Sequence, residues 1–297
     1  MKSKKLTAIY SILFISIFVF LIKDCISLKN EYSKDNPEIV HTLMNNKLLT
    51  QNVHLTGMIF RLNKGYYYDV HEMLVNNVFA KNLTGYQSAI DVGAANGFHL
   101  LQMGNYTKGK VLGFEPNEDF YNNLKVAAAK EENTSVENVA ISDKEGTATF
   151  YLYTNNYLES GLSPRRELMA LKKDNGKLEE IPCKVKTLDN YIDKLPDVGY
   201  IKIDVEGAEL NVLHGGKKLI AKYRPIITAE IQNDVEYFVH KRSEAFEFAK
   251  ENDYILCDIF GNPFYTQEDW DKYGNSTFDY IFIPKEKYDK TVENLKK

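Results

Sequence analysis

Between residues 88 and 283 short apolar runs alternate with amphipathic stretches, and few folds accommodate that alternation. Residues 88–92 form the first run, followed by a helical stretch over residues 100–106. Residues 110–114, 136–141, 200–205 and 225–231 form the next four runs. Between the second and third, Phe120, Leu124, Ala127 and Ala128 give a helix one apolar face, with Asn117 as its N-cap. Helices are expected over 209–221 and over 235–250, the latter turning Val235, Phe238, Val239, Phe246 and Ala249 inward, and late strands over 254–259 and 278–283 close the sheet. Strands alternating with amphipathic helices predict an α/β fold with a Rossmann-like, doubly wound, mostly parallel sheet. Residues 148–153 and 182–186 are β-rich, and the polar segment 155–177 between them reads as a loop or short helix over the site. Residues 68–83 carry Val70, Met73, Leu74, Asn77 and Val78 at helical spacing and predict a helix leading into the domain.

The 297 residues suit one large α/β domain with an extension. A net charge of −4 argues against a nucleic-acid partner, which would require a basic face to neutralise phosphates. Cys25, Cys183 and Cys257 are too few and too far apart to give a zinc site or a disulfide framework. Residues 6–22 are apolar and free of charge, preceded by Lys2, Lys4 and Lys5. As a helix they would reach about 25 Å at roughly 1.5 Å per residue, enough for a bilayer core. No small-residue cleavage site follows, so a retained signal-anchor is expected, its N-terminus cytosolic and the remaining chain lumenal or extracytoplasmic. The expected organisation is a tip and membrane-anchor helix over 1–28, a stalk over 29–65 and a catalytic domain over 66–297, single-pass in the membrane.

In an open parallel sheet the ligand lies beyond the carboxyl ends of the strands, at the switch point after the first. There the sequence reads Asp91-Val92-Gly93-Ala94-Ala95-Asn96-Gly97. The small residues Gly93, Ala94 and Gly97 let the backbone approach a ligand closely, and amides at the following helix start can bind a carboxylate. Asp91, at the strand tip, can hold an ammonium group. An amino-acid moiety needs both features, whereas a dinucleotide favours a denser glycine pattern, which is absent. Glu115 ends the second strand, where an acid accepts hydrogen bonds from ribose hydroxyls, in NAD and S-adenosylmethionine alike. After the third strand Asp143 can bond an adenine amino group while Ile141 packs on the ring; a Ser-Asp turn or helix cap explains Asp143 equally well. The fourth strand carries Lys202, Asp204 and Glu206 at alternate positions, hence on one face, with Glu209 and a turn-permitting Gly207 beyond. Three ionisable groups on a central strand are costly unless they serve a site or one another.

The successive segments Asp91 to Gly97, Gly113-Phe114-Glu115-Pro116-Asn117, Asn138-Val139-Ala140-Ile141-Ser142-Asp143 and Ile201-Lys202-Ile203-Asp204-Val205-Glu206-Gly207-Ala208-Glu209-Leu210 resemble the motifs of the FkbM family of methyltransferases. Leu213-His214-Gly215-Gly216 and Glu230-Ile231 extend the resemblance in unbroken order. It implies a class I methyltransferase fold, S-adenosylmethionine as donor, and O-methylation of a hydroxyl on a sugar, glycan or natural-product-like acceptor. It also places Asp91, Gly93 and Glu115 on cofactor positions, with Asp204 and Glu206 on the substrate side. One departure stands out: the family's turn reads Asp-Val-Gly-Ala-Asn-x-Gly, and here Ala95 precedes Asn96, so the asparagine is displaced by one place.

The expected base or hydroxyl-orienting group is therefore Asp204 or Glu206, with Lys202 tuning their charge. Carboxylates alone do not specify a metal among Asp204, Glu206 and Glu230, and none is assigned. Asn262-Pro263-Phe264-Tyr265 imitates the Asn-Pro-Pro-Tyr motif of amino-group methyltransferases, but its place after a late strand marks a turn. His99 reads as a helix-surface residue rather than a general base, and His214 as structural. The alternative to an enzyme is a catalytically silent, membrane-tethered domain that binds a nucleoside or glycan; the glycine pattern disfavours a NAD-dependent oxidoreductase.

Overall fold

Strand β1 (Ser88–Val92) is buried at all five positions, as expected of a strand covered on both faces. The computed structural model of the chain describes residues 64–154, 160–164, 178–231, 241–274 and 277–297. After β1 come β2 (Val111–Phe114), β3 (Thr134–Glu137), β4 (Ala140–Ile141), β5 (Gly146–Tyr153), β6 (Leu178–Lys186), β7 (Val198–Ile203), β8 (Ile226–Glu230), β9 (Tyr254–Asp258) and β10 (Asp279–Pro284). The helices are α1 (Lys64–Asn82), α2 (Phe98–Tyr106), α3 (Glu118–Ala128), α4 (Glu209–Gly215), α5 (Lys217–Tyr223), α6 (Glu244–Glu251), α7 (Gln267–Tyr273) and α8 (Tyr288–Leu295).

Seven strands form one sheet of order β3-β2-β1-β7-β8-β10-β9. All neighbours pair in parallel except β10, which runs antiparallel to both β8 and β9. This mostly parallel α/β sheet agrees with the expected architecture. From β1 the chain winds outward through β2 and β3, then returns to β7 on the other side. The switch point thus falls between the carboxyl ends of β1 and β7, where a ligand crevice belongs. Two cores cover the sheet. Leu74, Phe79, Leu100 and Tyr200 belong to one, beneath α1 and α2, and Ile90, Ile201, Leu213 and Phe248 to the other, beneath α4 and α6. The neighbours Tyr200 and Ile201 fall in opposite cores because successive strand residues alternate faces. Burying each such large side chain contributes about 1.5–3 kcal/mol relative to exposure.

Two expectations are corrected. Residues 136–141 are not one strand: β3 ends at Glu137, and β4 belongs to a separate sheet of order β4-β6-β5. The chain breaks there because Asn138 Nδ2 donates to the carbonyls of Glu115 (2.9 Å) and Pro116 (3.1 Å), pulling the backbone off the sheet edge. The single helix expected over 209–221 is two, α4 and α5, meeting at Gly216. The two late strands close the sheet as expected, with β10 inserted between β8 and β9. The expected N-terminal anchor and nearly all of the stalk lie outside the described residues, as do 232–240 of the expected helix over 235–250. Among the described residues no helix is long and apolar enough to cross a membrane.

Candidate active site

The turn after β1 is shaped by how closely it approaches the turn after β7. Gly93 has φ +81°, and a Cβ there would stand 1.8 Å from the Asp204 carbonyl oxygen, so only glycine fits. The amides of Gly93 and Ala94 both donate to the Phe114 carbonyl at 3.0 Å, tying the turn to β2. Gly97, also left-handed at φ +82°, opens α2, and a Cβ there would meet Leu124 Cδ1 at 2.2 Å. Between them Ala95 has φ +44°, and its amide donates to Glu115 Oε2 at 2.7 Å. The other oxygen of Glu115 accepts from the Asn117 amide at 2.8 Å. Glu115 is 5% exposed, and burial pushes its carboxyl up to about 7 against these two amide bonds. Asn117 also caps α3 as expected, accepting from the amides of Asp119 and Phe120.

The opposite turn is acidic. Strand β7 stops at Ile203, and the Asp204 amide donates to the Val92 carbonyl at 3.0 Å. Glu206 (φ +58°) and Gly207 (φ +103°) then turn the chain into α4. The expectation that Lys202, Asp204 and Glu206 share one face of a strand is therefore corrected, since the last two lie in the turn. Lys202 and Asp204 nevertheless meet, Nζ donating to Oδ2 at 3.1 Å. Burial alone would lower the Lys202 ammonium, but the carboxylates of Asp204 and Asp91 outweigh it and hold it well above its ordinary value. Asp91 lies beside Lys202 in the register of β1 and β7, with Nζ 3.8 Å from Oδ1. It is 1% exposed, neither of its oxygens accepts a hydrogen bond, and burial raises its carboxyl. At the end of β8, Glu230 brings an oxygen within 4.8 Å of one each from Asp204 and Glu206, a grouping able to hold a cation. Burial first, then the charges of Asp204 and Glu206, push Glu230 well above the usual carboxylate range.

Both turns face one cleft, open to solvent at its mouth. Gly93, Glu115, Asp204 and Glu206 line it as expected, together with Ala95. Ala94 and Gly97 shape the turn from behind, and Asp91 and Lys202 stand beneath the lining. Asp143 is outside it, its Oδ1 accepting from Asn211 Nδ2 (3.3 Å) and the Ser142 hydroxyl (3.2 Å). Ile141 does line the cleft, joined by Phe120, Phe150 and Leu162, which sequence reasoning had not singled out. Phe150 comes from β5, and residues 160–164 fold back on it, Tyr151 and Gly161 exchanging backbone hydrogen bonds of 2.9 and 3.2 Å. His99 is not on the surface: it is 6% exposed and engages Asn76 Oδ1 and Glu72 Oε2 of α1. His214, at the end of α4, packs edge-on against Phe248, as a structural residue would. Residues 262–265 form a turn after β9, pairing Phe264 N with the Leu256 carbonyl, and do not line the cleft.

The Methyltransferase FkbM domain matches residues 91–256 of the chain. No curated protein matches it at a significant level. Among solved structures, methyltransferase FkbM from Methylobacillus flagellatus KT is 15% identical with a TM-score of 0.41. That likeness covers 66% of this chain and 43% of the other, so the chain spans less than half of that protein's length. Precorrin-6y C5,15-methyltransferase from Geobacter metallireducens GS-15 is 12% identical, covering 62% of this chain and 72% of that one, with a TM-score of 0.36. An rRNA methylase from Streptococcus thermophilus is 10% identical over 71% of this chain and 93% of that one, with a TM-score of 0.35.

Proposed function

The chain belongs to the FkbM methyltransferase domain family, a family of S-adenosylmethionine-dependent enzymes, and from that premise we propose that it methylates a hydroxyl of a sugar, glycan or natural-product-like acceptor. The observation that carries this reading is the meeting of two unlike turns across one cleft, a glycine turn closed by Glu115 and an acidic turn bearing Asp204 and Glu206.

The first turn fits the donor. Gly93 and Ala95 line the cleft with main chain and a single methyl, and Glu115 offers a buried carboxylate at the strand end where ribose hydroxyls are bound. Phe120, Ile141 and Phe150 supply an apolar wall for an adenine ring. S-adenosylmethionine, when bound, supplies a methyl group already activated on sulfur. What is left to the protein is to align an acceptor oxygen and take its proton. Asp204 and Glu206 are the groups placed for that work. The ammonium of Lys202 fixes one oxygen of Asp204, leaving the other to an acceptor hydroxyl. Asp91 balances Lys202 from below, so the pair does not carry an uncompensated buried cation. The alternative of a silent binding domain draws on the displaced asparagine. Against it, Ala95 still donates its amide to Glu115.

Radiolabelled S-adenosylmethionine and a panel of mixed glycans test the proposal. Glu115→Ala and Asp204→Ala are each expected to lower methyl transfer at least about 100-fold. Undiminished turnover in both variants would overturn the assignment.

A further inference from the structure

Glu209 is the one carboxylate of the acidic segment that the proposed reaction leaves without a role. It opens α4, is 4% exposed, and does not line the cleft. Its side chain turns back on the chain that precedes it. Oε1 accepts from the amide of Val205 at 3.1 Å and from that of Gly207 at 2.9 Å. Between those two amides sits Glu206 in left-handed backbone at φ +58°, a conformation unfavourable for a residue with a side chain. Gly207 follows at φ +103°. Such a conformation persists only where its surroundings over-determine it. Here the surroundings are identifiable: Asp204 N is tied to Val92 O on one side, and the carboxylate of Glu209 grips the next two alternate amides on the other. The covering segment rests on the same turn, for a Cβ at Gly161 would lie 3.1 Å from the Val205 carbonyl oxygen.

We propose that Glu209 is a positioning residue, whose carboxylate clamps the turn over residues 204–207 in the conformation that presents Asp204 and Glu206 to the acceptor. The inference rests on the reading of those two residues as the acceptor-side pair. Because a single oxygen accepts both amides, the clamp requires an acceptor at the right reach rather than a charge. Burial pushes the Glu209 carboxyl up to about 8, and a proton on Oε2 leaves the bonds to Oε1 in place.

That distinction sets the experiment. Glu209→Gln keeps an acceptor oxygen at the same reach, Glu209→Asp keeps the charge but withdraws it, and Glu209→Ala removes both. Amide hydrogen exchange at Val205 and Gly207, read by NMR, reports the clamp without any acceptor substrate. S-adenosylhomocysteine binding by calorimetry reports the donor side, and methyl transfer to the glycan panel reports the reaction. In Glu209→Ala both amides are expected to exchange at least about tenfold faster, and kcat to fall about 10- to 100-fold. S-adenosylhomocysteine affinity should stay within about threefold, since the donor turn is also tied to β2 through Phe114 and Glu115, which Glu209 does not touch. Glu209→Gln is expected to retain slow exchange and most of kcat. If Glu209→Ala does not fold, Glu209→Asp carries the test, with faster exchange and reduced kcat at near wild-type affinity. Unchanged exchange in the Ala or Asp variant overturns the proposal, and so does a Gln variant as impaired as Ala. Wild-type protein that transfers no methyl overturns the proposed reaction instead, and the exchange pattern still decides whether Glu209 holds the turn.

Discussion

Ala95 is strained, and the strain is useful. At φ +44° its backbone occupies the left-handed region that glycine and asparagine tolerate and alanine does not. Asparagine is what the family pattern places there. In this chain Asn96 instead accepts from the amide of Phe98 at 3.0 Å, at the start of α2. What holds Ala95 in place is the bond from its amide to Glu115. Ala95→Gly should relieve the strain and stabilise the fold by about 0.5–1 kcal/mol, part of the gain being offset by glycine's freer unfolded chain. Urea unfolding measures this, and a less stable variant would mean that the methyl's contacts outweigh the backbone. At this scale the motif residues were legible, because Gly93, Glu115, Asp204 and Glu206 sit at strand ends that periodicity locates. Asp143, His99 and the Phe150 and Leu162 walls of the cleft were not. The burial of His99 depends on α1 lying across α2, and Phe150 and Leu162 reach the cleft only because a second sheet folds over it. No local pattern carries either fact.

Among the elements, the break between β3 and β4 has the widest effect. One asparagine side chain, that of Asn138, spans from the end of β3 to the carbonyls of Glu115 and Pro116. It thereby sends the chain off the main sheet to pair with β6, and it braces the segment that carries Glu115. Asn138→Ala leaves two half-buried carbonyls without that donor and is expected to cost about 1–2 kcal/mol. It should also weaken S-adenosylhomocysteine binding, which calorimetry beside a urea titration would show; intact affinity would mean that the Glu115 segment holds itself. Periodicity predicted a single strand across this break because both halves are apolar, and apolar character does not say which sheet a strand joins. The same limit applies to β10. Its sequence reads as a strand, yet its antiparallel insertion between β8 and β9 is a matter of topology. By contrast Asn117 marked the start of α3 correctly, since a cap is a local interaction.

Across the molecule, among the described residues, buried acids outnumber buried bases. Burial pushes Glu115 and Asp258 up to about 7 and Glu209 up to about 8, although each accepts backbone amide bonds. Each therefore holds its proton more tightly in the folded chain than in the unfolded one. The resulting stability is fully present below the ordinary carboxyl range near pH 4 and is lost as the pH rises through 7 to 8, by at most about 1.4 kcal/mol per group per pH unit. The urea midpoint is expected to fall between about pH 6 and pH 9, and a rise over that interval would contradict the burial argument. The outline of the fold was readable because the strands are continuous apolar runs, whereas these titrations arise from depth, which the sequence does not display. Depth also bears on the contact between the two turns. Gly93 lies bare against the Asp204 carbonyl, and Val92 holds the Asp204 amide. That contact works like the fixed jaw of a vice: the spacing between the two banks of the cleft is gauged by main chain, which substitution barely alters. The roof of Phe150 and Leu162 hangs from a different sheet and is free to change its outline. A lineage could thus recut the roof alone, keeping the gauge on which the chemistry depends.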